Sequence, residues 1–156
     1  MRVATTILNS RLFQEVRQKR QLSYAPSASL DSLSANTANI YVTAVDANQT
    51  VTVMLNVIKS LKTTPIQQAE IEGMAGQFLT NYYMKQETNA AQALELAKYE
   101  LIGGGWRNSF ELLNRLRGVT SAEVQNVAQK YMKNIRFVVI GNPQAIEKNI
   151  FLQKTE

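Results

Sequence analysis

Arg17 and Tyr24, seven residues apart, are the side chains whose types and spacing could do chemistry. In the stretch that leads to them, Leu8, Leu12, Phe13 and Val16 fall on one stripe about 140° wide if the segment is helical, the width a core-facing helix needs. Arg17 lies at the rim of that stripe, on the last turns before the pattern stops. Tyr24 opens a segment that no longer reads as helix. A guanidinium at a helix end and a phenol at the start of the next strand can therefore reach one patch of space. Donors fixed in that way are suited to holding a bound carbonyl or a developing oxyanion.

The other polar constellations are poorer. Arg11 is near enough to add charge, but its position suits capping or surface duty. Glu70 and Glu72 are two apart on a helix and point to nearly opposite sides, so they cannot share a proton or a metal. Gly103-Gly104-Gly105 lacks the Lys-Ser/Thr of a phosphate-binding loop and follows a helix rather than a strand; it reads as a helix stop. Trp106 reads as a core or rim anchor before a binding aromatic. The chain has neither Cys nor His. Disulfides, thiolate metal sites, a Ser-His-Asp triad and an ordinary zinc site are thereby excluded. On its own, the polypeptide is not expected to be a hydrolase or to hold a metal.

The formal charge of +5 is uneven. Residues 1–20 hold Arg2, Arg11, Arg17, Lys19 and Arg20 against Glu15 alone, a net of +4, which leaves +1 for the rest. A basic first helix is one way to meet nucleic acid or an anionic membrane. Without a base-stacking series of aromatics among the charges, a solvated face is the simpler reading, and nucleic-acid binding stays a remote alternative. No run approaches the ~18 apolar residues of a membrane helix. Residues 1–6 are too short and polar for a signal peptide.

The elements that must position Arg17 and Tyr24 follow from periodicity. A first helix is predicted from about Thr5 to Gln21, and a strand from Tyr24 to Leu30, with Pro26 confining it to an edge or bulge. After a turn-rich stretch from Asp31 to Thr37, residues 38–45 alternate, with Ile40, Val42 and Ala44 facing one way and Tyr41, Thr43 and Val45 the other. The two runs read as an antiparallel hairpin. Val51, Met54, Leu55, Ile58 and Leu61 mark a helix behind Asp46 or Asn48 as cap. Thr64-Pro65-Ile66-Gln67 has the form of a capping box, predicting a helix to about Lys85 with Ile71, Met74, Phe78 and Tyr82 inward. Gly73 and Gly76 within it suggest close packing or a bend. Further helices are expected from Asn89 to Ile102 behind Thr88, through Leu116, and behind the Thr120/Glu123 capping box. Arg136 to Ile140 reads as a strand and Ala145 to Leu152 as a closing helix. The expected class is α+β, an antiparallel sheet covered on one face by several helices, in a single domain over residues 1–156.

Ser10-Arg11-Leu12-Phe13, then Val16-Arg17, then Leu22-Ser23-Tyr24, resemble the C-terminal, non-zinc half-domain of the pitrilysin/insulysin/mitochondrial processing peptidase family. Gln86-Glu87-Thr88, the glycine break and Val119-Thr120-Ser121-Ala122-Glu123-Val124 extend the likeness loosely over most of the chain. Processing-peptidase-like members usually have Gly where this chain has Gln21, though insulysin-like members also show Gln. The resemblance implies a two-part zinc metallopeptidase whose other half carries zinc on a His-x-x-Glu-His helix. This half would lend Arg17 and Tyr24 to peptide binding and transition-state stabilisation, and would be inactive alone. It also implies opening strands ahead of residue 1, so that an unpaired sheet edge could drive self-association. The alternative within the family is a non-peptidase scaffold or binding subunit.

Overall fold

Helix α1 (Arg2–Leu12) is the pivot of the architecture, because Ile7 and Leu12 are sealed from solvent and Ala4 and Leu8 nearly so. The computed structural model describes residues 1–31 and 37–152. Beyond Leu12 the helix widens into a π-helical segment, Phe13–Gln18, with Val16 fully buried. The predicted single helix to Gln21 is thus two helical types in series, ending at Gln18.

An antiparallel hairpin follows: β1 (Ser27–Asp31) and β2 (Thr37–Tyr41), in register from Ser27 opposite Tyr41 to Asp31 opposite Thr37. Its predicted turn at residues 32–36 lies outside the described residues. Ala28 and Ile40 pack onto the core, whereas Ser27, Ser29, Asn39 and Tyr41 are exposed. α1 lies against the inner face, and Asn9 Oδ1 accepts the Ala28 N–H at 2.8 Å, tying helix to strand. β1 begins three residues later than expected. Pro26 is buried and has no N–H to donate, so the ladder starts after it. The inside–outside alternation persists beyond β2: Val42 and Ala44 are half-buried, while Thr43 and Val45 are exposed.

Helices then dominate: α2 (Ala47–Thr63), α3 (Gln68–Lys85), α4 (Asn89–Ile102), α5 (Asn108–Arg117) and α6 (Ser121–Tyr131). Local chemistry sets most of their starts. Asp46 Oδ1 accepts from Gln49 N at 2.9 Å, and Thr88 Oγ1 from Ala91 N at 3.1 Å. Thr120 and Glu123 make the reciprocal capping box, with Thr120 N donating to Glu123 Oε2 at 2.8 Å. Those backbone and hydroxyl donors hold the Glu123 carboxyl below its ordinary range. Met54, Val57, Ile58 and Leu61 of α2 join Val124 and Ala128 of α6 and Leu116 of α5 around α1. Each such aliphatic side chain contributes about 1.5–3 kcal/mol on burial. Across α1 and α3, Arg11 makes a bidentate pair with Glu70, at 3.0 and 2.8 Å. Arg11 is therefore a tie between helices, neither a cap nor a free surface charge.

Four further expectations fail. The box at Thr64 does not form: α2 runs to Thr63, and α3 starts at Gln68 with no side-chain cap. Ile66 is instead buried, and its N–H donates to Ser121 Oγ at 2.9 Å, which holds the connection out of helix. Gly73 and Gly76 have open space where a Cβ would stand, so neither serves close packing. Residues 136–140 form no strand; they have no ladder partner among the described residues, and Val138 and Ile140 are more than nine-tenths exposed. The closing helix shrinks to a 3₁₀ turn, Pro143–Ala145, and one turn of α7 (Lys148–Phe151).

An apolar, β-branched segment with no pairing partner is a template for another strand. Sedimentation of the purified chain is expected to show concentration-dependent association. Val138→Lys combined with Ile140→Lys should weaken it, and a strict monomer at all concentrations would remove this role from the segment.

Candidate functional site

The π-helical segment determines where Arg17 points. A π turn accommodates one extra residue per turn, is rare, and recurs where function requires a displaced side chain. Here it closes in an equally wide form. The Leu22 N–H reaches back to the Val16 carbonyl at 2.9 Å, and the Gln21 N–H to the Arg17 carbonyl at 3.1 Å. The usual helix-ending pair of bonds spans one residue less in each case. To make the turn, Gln21 adopts φ of +53°, a left-handed conformation that favours glycine. Val16 and Leu22, the ends of the longer bond, are both buried. The Leu22 carbonyl then accepts the Val45 N–H at 3.1 Å, anchoring the returning chain beside the end of the hairpin.

This closure brings the two predicted residues together. The Arg17 guanidinium carbon lies 4.1 Å from the centre of the Tyr24 ring and 4.8 Å from that of Phe13. Tyr24 is 79% exposed, ahead of β1 rather than opening it, so its hydroxyl is available to solvent. Phe13, read from the sequence as core, is half-buried and serves the arginine as an aromatic wall. The missed signal was the spacing of four between Phe13 and Arg17, which puts a ring beside a cation on one helix face. Such contacts contribute about 0.5–1 kcal/mol at exposed sites.

The surrounding charges are unequal. Glu15 holds both Lys19 and Arg20, at 2.6 and 2.5 Å, and Arg20 also donates to the Glu15 carbonyl. Hydrogen bonds from Lys19 and then Arg20 hold the Glu15 carboxyl below its ordinary value. Among the described residues, no carboxylate or carbonyl accepts from the Arg17 guanidinium. The arrangement offers a fixed fork of N–H donors beside a phenol O–H. It has no base or nucleophile at hand. Nor does it fit a metal: with His and Cys absent from the chain, the described residues hold no group of three metal-ligating side chains. Trp106 lies far along the sequence on a separate surface, edge-on to Phe110 and capped by Arg107, as a rim anchor would be.

Two outcomes follow from this geometry. Gln21→Gly removes a left-handed side chain costing about 1–2 kcal/mol and gives back about 0.4–1 kcal/mol through a freer unfolded chain. A rise of roughly 1–3 °C in melting temperature is expected, whereas Gln21→Val should lower it. The Glu15 contribution is complete above the unfolded-state value of 4.5 and is lost as the pH falls through the lower folded-state value. Acid melting profiles should therefore flatten in Glu15→Gln, and an unchanged acid limb would show that these ion pairs do not hold the helix end.

Comparison with known proteins agrees with the fold. The sequence model of the family described as the peptidase M16 inactive domain matches residues 2–78. The chain is 25% identical over 146 residues to uncharacterised zinc proteases of Mycobacterium tuberculosis and Mycobacterium bovis. The match takes in 92% of this chain and 33% of each relative, so the chain spans about a third of their length. An inactive peptidase domain from Bordetella parapertussis has a TM-score of 0.71 at 21% identity, over 85% of this chain and 75% of that one. A peptidase M16 inactive domain from Pseudomonas fluorescens gives 0.69 at 17% identity, over 83% of this chain and 34% of that one. At these identities the structures speak for the fold, and the family match covers the segment that carries Arg17 and Tyr24. Over residues 2–78, about half of its length, the chain is similar to the peptidase M16 inactive domain, a description that accords with a domain non-catalytic on its own.

Proposed function

We propose that this chain is the substrate-side half of a two-part zinc metallopeptidase, completed by a half that carries His-x-x-Glu-His and the zinc. The observation that supports this most directly is the Arg17–Tyr24 pair: a guanidinium with no carboxylate or carbonyl acceptor among the described residues, its carbon 4.1 Å from the centre of an exposed phenol ring. Arg17 would hold a carbonyl of the bound peptide. The Tyr24 hydroxyl would donate to the oxyanion as the scissile carbonyl becomes tetrahedral. Both donors are positioned before substrate arrives, so little reorganisation is required at the moment of reaction. The zinc would belong to the other half, since the described residues hold no group of three metal-ligating side chains.

One observation favours a second reading, a scaffold or binding subunit of the same family. Leu94, Leu101, Ile102, Trp106 and Phe110 expose apolar surface along α4 and the start of α5, as a docking face would. The two readings part at Tyr24. In a reconstituted pair, Tyr24→Phe keeps the ring and its contact with Arg17 but removes the donor. Turnover is expected to fall by about 10²–10³ with little change in KM. Arg17→Ala should raise KM as well, because a ground-state contact is lost. This chain alone is the inert control. Unchanged turnover in folded Tyr24→Phe would make Tyr24 a packing residue and leave the scaffold reading.

A further inference from the structure

Resting on the peptide-binding reading above, we propose that Arg17 also selects peptides that bring a carboxylate to it. A guanidinium has five N–H donors in a rigid fork, and a single peptide carbonyl cannot satisfy them. The Phe13 and Tyr24 rings contact it at 4.8 and 4.1 Å but offer no lone pairs in the plane of the fork. The rings lie against it, and no carboxylate or carbonyl among the described residues accepts from its N–H groups. A planar carboxylate is the complement of that edge, because two parallel N–H···O bonds can form at once.

The local charge acts in the same direction. From residue 16 to residue 30 the sequence contains no Asp or Glu. Glu15 is already shared between Lys19 and Arg20, so this helix end carries uncompensated positive charge in addition to Arg17. Asp46, adjacent to the Val45 that bonds the Leu22 carbonyl, is engaged as the cap of α2 by the Gln49 N–H. Arg11, one turn and a half before Arg17, is neutralised by Glu70. Arg17 thus has an oriented fork and, among the described residues, no carboxylate partner. An acidic side chain of the peptide and its terminal carboxylate present the same chemistry.

The test uses the whole isotope-labelled chain and follows the Arg17 Nε–H signal and the Tyr24 ring signals in magnetic resonance titrations. Three versions of one short peptide separate the sources: an internal Asp with an amidated end, Asn at that position with an amidated end, and Asn with a free carboxylate. At low ionic strength at least one acidic version should bind about five- to tenfold more tightly than the neutral one. Whichever version gains identifies the source. The advantage should shrink with salt, fall in Arg17→Lys, which keeps the charge without the fork, and vanish in Arg17→Gln. Equal binding of all three, shifting the same signals, would overturn carboxylate selection and leave the peptide-binding reading standing. No shift with any peptide would overturn both.

Discussion

One backbone closure governs the geometry of the candidate site: the hydrogen bond from the Leu22 N–H to the Val16 carbonyl, six residues back. Both of its residues are buried, so the turn cannot relax without exposing two aliphatic side chains to water. That constraint imposes the left-handed Gln21, fixes the end of the π-helical segment, and returns the chain towards Arg17. The polar groups at the surface are consequences of it. Arg17 and Tyr24 meet because the core beneath them holds the chain in a wide turn. Their mutual attraction, at about 0.5–1 kcal/mol for an exposed cation–π contact, is too small to impose a strained backbone.

Charge is distributed around that turn so that neutralised cations support the structure and one stays available. Arg11 meets Glu70 in a part-buried bidentate pair that joins α1 to α3, a geometry more favourable than the usual surface ion pair. Lys19 and Arg20 converge on Glu15 and fasten the last turn on the solvent side. Three basic side chains thus secure the helix whose end presents Arg17. From the sequence, the basic segment reads as a solvated face, with nucleic-acid binding a remote alternative. The pairing with Glu15 and Glu70 leaves much less free charge than the count of cations suggests.

How legible the fold was depends on how far each signal reaches along the chain. Asp46, Thr88 and the Thr120/Glu123 box cap helices through bonds spanning three residues, and all three are as the sequence predicts. Thr64 and Pro65 carry the same kind of local signal, but it is overridden by the burial of Ile66 and its bond to Ser121, 55 positions away. Residues 136–140 have strand composition, yet a strand exists only with a neighbour, and composition cannot supply one. The alternation around Ile40, Val42 and Ala44 was readable because its inward side is set by the helix directly beneath.

The candidate site was legible in part, and the illegible part has a single physical origin. Spacing placed Arg17 and Tyr24 in one region, since a helix end and the following segment must be close in space. The π turn has no sequence signature: one extra residue in a helical turn leaves the apolar pattern nearly unchanged over so short a run. Gln21 conceals the turn further, because glycine is the residue that would announce a left-handed φ. Phe13 was assigned to the core on periodicity, and the widened turn instead leaves it half-buried at the surface, beside Arg17. Phe13 and Arg17, four residues apart, meet there with the guanidinium carbon 4.8 Å from the ring centre. The widened turn thereby gives this domain, similar over residues 2–78 to the peptidase M16 inactive domain, an ordered guanidinium at its surface.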